Sequence, residues 1–165
     1  MNKDLLITTA DSLLCANRGL LSPEQETRLT ELLAQARETE EEDPLPLELL
    51  RLVKVLELKV RDSGPDVNSF ILAGQPMWFT PYLRANLRNA VDALQDASEE
   101  TVSFKGLTMP IAMAKAALSA IELYAAKSEN VTEAHAAAIM DLESAEDIER
   151  YDITVGYPDR PEFQF

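Results

Sequence analysis

Thiol and imidazole are nearly absent from this chain. Of its 165 residues, Cys15 is the only cysteine and His135 the only histidine. A lone cysteine forms no internal disulfide, so a disulfide framework is excluded and synthesis in a reducing cytosol is expected. A structural zinc site needs four convergent nitrogen or sulfur ligands, which this inventory does not supply. The run Glu40–Asp43 is acidic, but it lacks the alternating ligands and central glycine of a calcium loop. A serine or cysteine nucleophile needs a base, and His135 would have to serve every such role. No GxSxG elbow, Walker-type phosphate loop or GxGxxG turn occurs. The expectation is therefore a non-enzyme, with no catalytic residue, no cofactor and no metal. A carboxylate pair assembled by folding would leave no trace in sequence, which keeps a small hydrolase as a third reading.

Positive charge is scarce as well. Fifteen Lys and Arg stand against 29 Asp and Glu, a net charge of −14. Such a surface repels phosphate backbones and anionic headgroups, so neither direct nucleic-acid binding nor membrane docking is expected. Long apolar runs are missing too: no stretch approaches the roughly 18 residues of a membrane span. Asp4 and Asp11 interrupt the first residues where a secretory signal would be apolar. The acidity does raise an alternative function, an inhibitor that mimics DNA and occupies a host protein. Against it, the acids are dispersed and interleaved with bases rather than gathered in one stripe.

What the chain does have is helical periodicity with clear punctuation. Residues 4–17 predict a helix with Leu5, Leu6, Leu13 and Leu14 apolar and Gly19 at its close. Ser22-Pro23-Glu24-Gln25 places a hydroxyl at an N-cap, proline at the first helical position and an amide at the third. Leu29, Leu32, Leu33 and Ala36 then recur at helical spacing. From Leu47 to Val60 strand alternation fails, and Leu49, Leu52, Val53, Leu56 and Val60 form a helical stripe. Leu50, Val55 and Leu58 widen it, so this helix either lies between two partners inside the fold, the commoner case, or contacts another subunit.

The breakers Asp62-Ser63-Gly64-Pro65-Asp66 divide a helical region, residues 1–62, from a second domain, residues 67–165. VNSFILAGQPMWF predicts two strands around Ala73-Gly74, with Pro76 at a strand start or sheet edge. Thr80-Pro81 opens a helix whose buried stripe is Leu83, Leu87, Ala90, Val91 and Leu94. TVSF-KG-LTMP is a second hairpin about Lys105-Gly106. A helix from Pro110 to about Lys127 carries Met113, Ala117, Ala120, Ile121 and Tyr124. Thr132 caps another with Ala136, Ile139 and Met140, and Ser144 caps a short last one. The fold class is α+β and predominantly helical: a helical N-terminal part, then two short hairpins packed with about four helices and an extended aromatic tail.

Aromatic side chains concentrate after the breakers. Phe79 and Tyr124 suit a core. Trp78, Tyr151, Tyr157, Phe163 and Phe165 are interface candidates, together with Leu49, Leu50, Val55 and Leu58. The tail YDITVGYPDRPEFQF has no helical period and either wraps its own domain or reaches a neighbour.

The order VNSFILAGQPMWF, LRANLRNAV, VSFKGLTMPIAMA, LSAIELYAAKS, VTEAHAAAIMDL and YDITVGYPDRPEF resembles an uncharacterised domain of tailed-phage and prophage proteins of the Bacteroidetes type. Related domains occur in tail-fibre and tail-fibre-assembly components. The resemblance covers about residues 67–163, and its ending YD-T-x-GYP is distinctive in combination with the tryptophan-bearing stretch. Ser128 stands where similar proteins often carry cysteine, which leaves no catalytic thiol there. The resemblance implies a virion-associated structural or assembly protein, made in the bacterial cytoplasm and partnered by other tail or fibre proteins. A homo-oligomer is compatible with it.

Overall fold

The computed structural model describes residues 2–104 and 106–164. It is α+β and predominantly helical, as the punctuation predicts. The helices are α1 (Lys3–Ala16), α2 (Pro23–Glu38), α3 (Leu47–Ser63), α4 (Pro81–Asp96), α5 (Ile111–Asp141) and α6 (Ala145–Arg150). The strands are β1 (Ser69–Leu72), β2 (Gln75–Trp78), β3 (Thr101–Phe104), β4 (Leu107–Pro110) and β5 (Glu162–Phe163). Lys105, half of the expected second turn, lies outside the described residues.

Two compact units result. One comprises residues 1–61 and 131–155, the other residues 62–130 and 156–165. The first division falls on the breaker cluster. The expectation of one domain over 67–165 needs correction, because residues 131–155 pack with the N-terminal helices. Ile139 and Ile148 belong to the core made by Leu29, Leu33, Leu49 and Leu56, with Ala136, Leu142 and Tyr151 packed on it. A contiguous division read from breakers cannot register a chain that returns.

In the first unit the capping box forms as read. Ser22 accepts from the Gln25 amide, and the Gln25 side chain accepts from the Ser22 amide. Helix α3 buries Leu49, Leu50, Leu52, Val53, Val55, Leu56 and Leu58, so it is the internal sandwich helix rather than a subunit contact. Helix ends leave carbonyls without intrahelical partners, and cations meet two of them here. Beyond α2, Lys3 Nζ donates to the carbonyls of Thr39 at 3.1 Å and Glu40 at 2.7 Å. Beyond α5, Arg51 Nε donates to Leu142 O at 2.7 Å. Leu5, expected inside, is exposed, and Ile7 and Ala10 take its place.

In the second unit β1 and β2 pair antiparallel, Phe70 opposite Met77 and Leu72 opposite Gln75. Ala73 (φ 48°) and Gly74 (φ 76°) make the two-residue turn in the left-handed region that matches hairpin twist. The tail adds β5 parallel to β1, through Ile71 N–H to Pro161 O and Ala73 N–H to Phe163 O, each 2.8 Å. This part of the tail therefore wraps its own unit. Phe70 meets Phe79 and Phe163 edge-to-face at centroid distances of 5.2 and 5.8 Å.

The largest departure is α5, one helix of 31 residues where two were expected. Ile111, Ala114, Leu118, Ile121, Ser128, Thr132, His135 and Ile139 are all buried along it. With Tyr124, also buried, they form a seam of three- and four-residue steps. Ser128, Thr132 and His135 make that seam polar, so Thr132 resembled a cap although it is a fully buried mid-helix residue. Met113 and Met140, expected inside, are exposed, as are Leu83 and Ala90 of α4.

Leu56→Ala, at a fully buried position, is expected to lower unfolding free energy by about 2–5 kcal/mol. Leu5→Ala should stay within about 0.5 kcal/mol. Chemical denaturation followed by circular dichroism checks both.

Candidate functional site

The predicted interface residues part company in the structure. Leu49, Leu50, Val55 and Leu58 are core residues and present no surface to a partner. Phe163 is half-buried against Phe70, Tyr157 is half-buried, and Phe165 lies outside the described residues. Tyr151 is half-buried and its hydroxyl is 2.8 Å from His135 Nδ1. Among the eight that are described, Trp78 alone stands well out, 55% exposed.

Local structure explains that exposure. Trp78 alternates with Met77 and Phe79 along the strand, so burying Phe79 turns the indole outward. Thr80 then accepts from Leu83 N–H and starts α4 with Pro81, which sets Tyr82 and Leu83 on an outward first turn. Tyr82 is 75% exposed and Leu83 42%. One end of the indole is held, since Trp78 Nε1–H donates to Ser63 O at 3.3 Å. The backbone edge beside it does not invite a further strand. Phe79 N–H bonds Asn68 O, and ladder alternation then places the nitrogen of Pro76 on the outer side of β2, where it has no proton to donate.

Below this first turn lies an arginine that helical periodicity assigns to solvent. Arg84 is 8% exposed. Its Nη1 donates to Asn68 Oδ1 at 2.7 Å and to Phe79 O at 3.0 Å, and its Nε to Glu122 Oε1 at 3.2 Å. Tyr124 closes the same region by donating to Val67 O at 2.7 Å. Arg84, Asn68, Glu122, Tyr124 and Ser128 line a polar cleft of about 250 Å³ within the second unit. The apolar cavity of that unit is only about 40 Å³ and has room for little more than a water molecule.

His135 is the remaining chemical group of interest. Its Nε2 is 2.8 Å from Val155 O, and a carbonyl only accepts, so Nε2 carries the proton. In the neutral ring Nδ1 then accepts from the Tyr151 hydroxyl, and the rings meet edge-to-face at 5.5 Å. Both nitrogens are engaged, as a locally hydrogen-bonded histidine would have them. Among the described residues no three His, Cys, Asp or Glu converge as a metal site. Nearby, the hydroxyl and amide of Thr154 hold the Asp152 carboxyl below its usual range. In α3 burial pushes Glu57 up, opposed by Lys54 at 4.0 Å.

Arg84→Met removes three donated hydrogen bonds, one to the buried Phe79 carbonyl and two to part-buried side-chain oxygens, and should cost roughly 2–4 kcal/mol in denaturant unfolding. Arg84→Lys should not restore this, lacking the planar fork. For Glu57 the raised folded pKa means that ionisation opposes folding. The penalty is present above that pKa and is relieved as pH falls through it. Glu57→Gln should therefore raise the melting temperature slightly at pH 7, with the difference vanishing below the ordinary carboxylate range.

Comparison of the chain with protein-family models, with curated proteins and with solved structures finds no match in any of the three.

Proposed function

We propose that this protein is a non-enzymatic component of a tailed phage, a virion structural or assembly protein of the tail or fibre attachment region. Two things support the reading: the resemblance over about residues 67–163, and the outward display of Trp78, Tyr82 and Leu83. The second carries the mechanism. Large aromatic side chains with few rotatable bonds lose little entropy on docking and commonly dominate binding energy. Here they sit at a capped helix start beside a strand edge closed by proline, so docking proceeds through side chains rather than strand addition. Tail or fibre proteins are the partners, and binding is burial without turnover.

Purified particles and assembly intermediates from cells infected with the source phage, analysed by quantitative mass spectrometry, test this. The chain should be present at fixed stoichiometry in one or the other. A Trp78→Ala/Tyr82→Ala variant that keeps its fold should be depleted at least about tenfold, the effect of losing one or two aromatic anchors. Absence of the chain from both fractions, or undiminished incorporation of the variant, would overturn the reading.

A further inference from the structure

Ser128 is out of keeping with its surroundings. A serine inside a helix ordinarily returns its hydroxyl to the carbonyl one turn back. This one does not: the residue is 2% exposed and its Oγ has no hydrogen-bond partner. A buried, unmade hydroxyl bond costs free energy, so its retention calls for a ligand or other compensation. The hydroxyl belongs to a residue that lines the cleft beside Arg84.

The other walls specify what would occupy that space. Glu122 and Glu129 bring two carboxylates, against the single guanidinium of Arg84. Arg84 is itself committed, to Glu122 through Nε and to Asn68 and Phe79 through Nη1. Glu122 and Glu129 lie two turns apart on the same side of α5, about 10 Å along its axis. Glu129 is an exposed residue of the lining. Pro81, next to the outward Tyr82, lines the same cleft. An excess of carboxylate around a buried acceptor hydroxyl, in a space of about 250 Å³, suits a guanidinium or ammonium group on an alkyl stem.

We infer that this cleft is a binding pocket for a basic side chain, arginine or lysine, of the protein partner. That a protein supplies the cation rests on the function proposed above; the preference of the cleft for a cation does not. Ser128 Oγ accepts from the bound cation, Glu129 and the free oxygen of Glu122 neutralise it, and Trp78 and Tyr82 contact the flanking residues of the partner.

The test uses the full chain and small probes, so its result is independent of which partner is correct. Acetyl-arginine amide and acetyl-lysine amide are titrated in amide-resolved NMR, with acetyl-citrulline amide as the neutral isostere. The cationic probes should shift resonances of residues 122–129, and citrulline should bind at least about fivefold more weakly. Glu129→Gln, at an exposed position that leaves the fold intact, should weaken the cations about tenfold and citrulline little. Ser128→Ala should weaken the cations several-fold, and added salt should weaken them further. No shift at residues 122–129 with either cation, or equal binding of citrulline, would overturn the inference. If the cations bind while the chain proves absent from particles and intermediates, the pocket stands and the phage reading falls.

Discussion

The buried seam of α5 is the constraint from which the rest follows. Thirty-one residues without glycine or proline hold one helix, and its inward positions recur in three- and four-residue steps from Ile111 to Ile139. Ile111, Ala114, Leu118 and Ile121 complete the phenylalanine-rich core of the second unit. Ile139 enters the leucine core of the first. Ser128 in the second unit, and Thr132 and His135 in the first, are buried as well, which puts polar groups in buried places. His135 resolves this with Tyr151 and the Val155 carbonyl. Ser128 is left to the cleft.

Buried and half-buried cations impose a second layer of order. Lys3 and Arg51 answer carbonyls that helix ends leave open, and Arg84 answers a loop carbonyl, an amide oxygen and a carboxylate. Lys3 and Arg51 act here as donors to carbonyls, whereas Arg84 combines such bonds with an ion pair to Glu122. The solvent-facing pair of Arg28 and Glu48, though bidentate at 2.8 and 2.6 Å, contributes far less because water screens it. The Arg84 cluster matters most for function, since it fixes the start of α4 beneath the outward Tyr82 and forms one wall of the acidic cleft.

Much of the fold was legible where local chemistry decides it. The Ser22 capping box, the Thr80-Pro81 start, the Ala73-Gly74 turn and the broad apolar surface of α3 need only a few neighbouring residues to specify them. Other features were hidden for a shared reason. Arg84 and the 128–135 segment of α5 are polar yet buried, and periodicity arguments treat polar as outward. The β5 strand is two residues long, below what any pattern can register. Of the interface candidates, Trp78 could be placed by strand alternation with Phe79. The four from α3 stay open between core and partner contact in sequence, because the amphipathic pattern does not say who covers a wide apolar face; the fold places them in the core.

Amide hydrogen exchange across α5 tests the central claim, that residues 111–141 form a single helix with polar side chains buried at 128, 132 and 135. The account predicts slow exchange from Ser128 to His135, comparable with that from Ala114 to Ile121. Rapid exchange at 128–132 between two protected segments would contradict it, restoring a break with Thr132 as a cap.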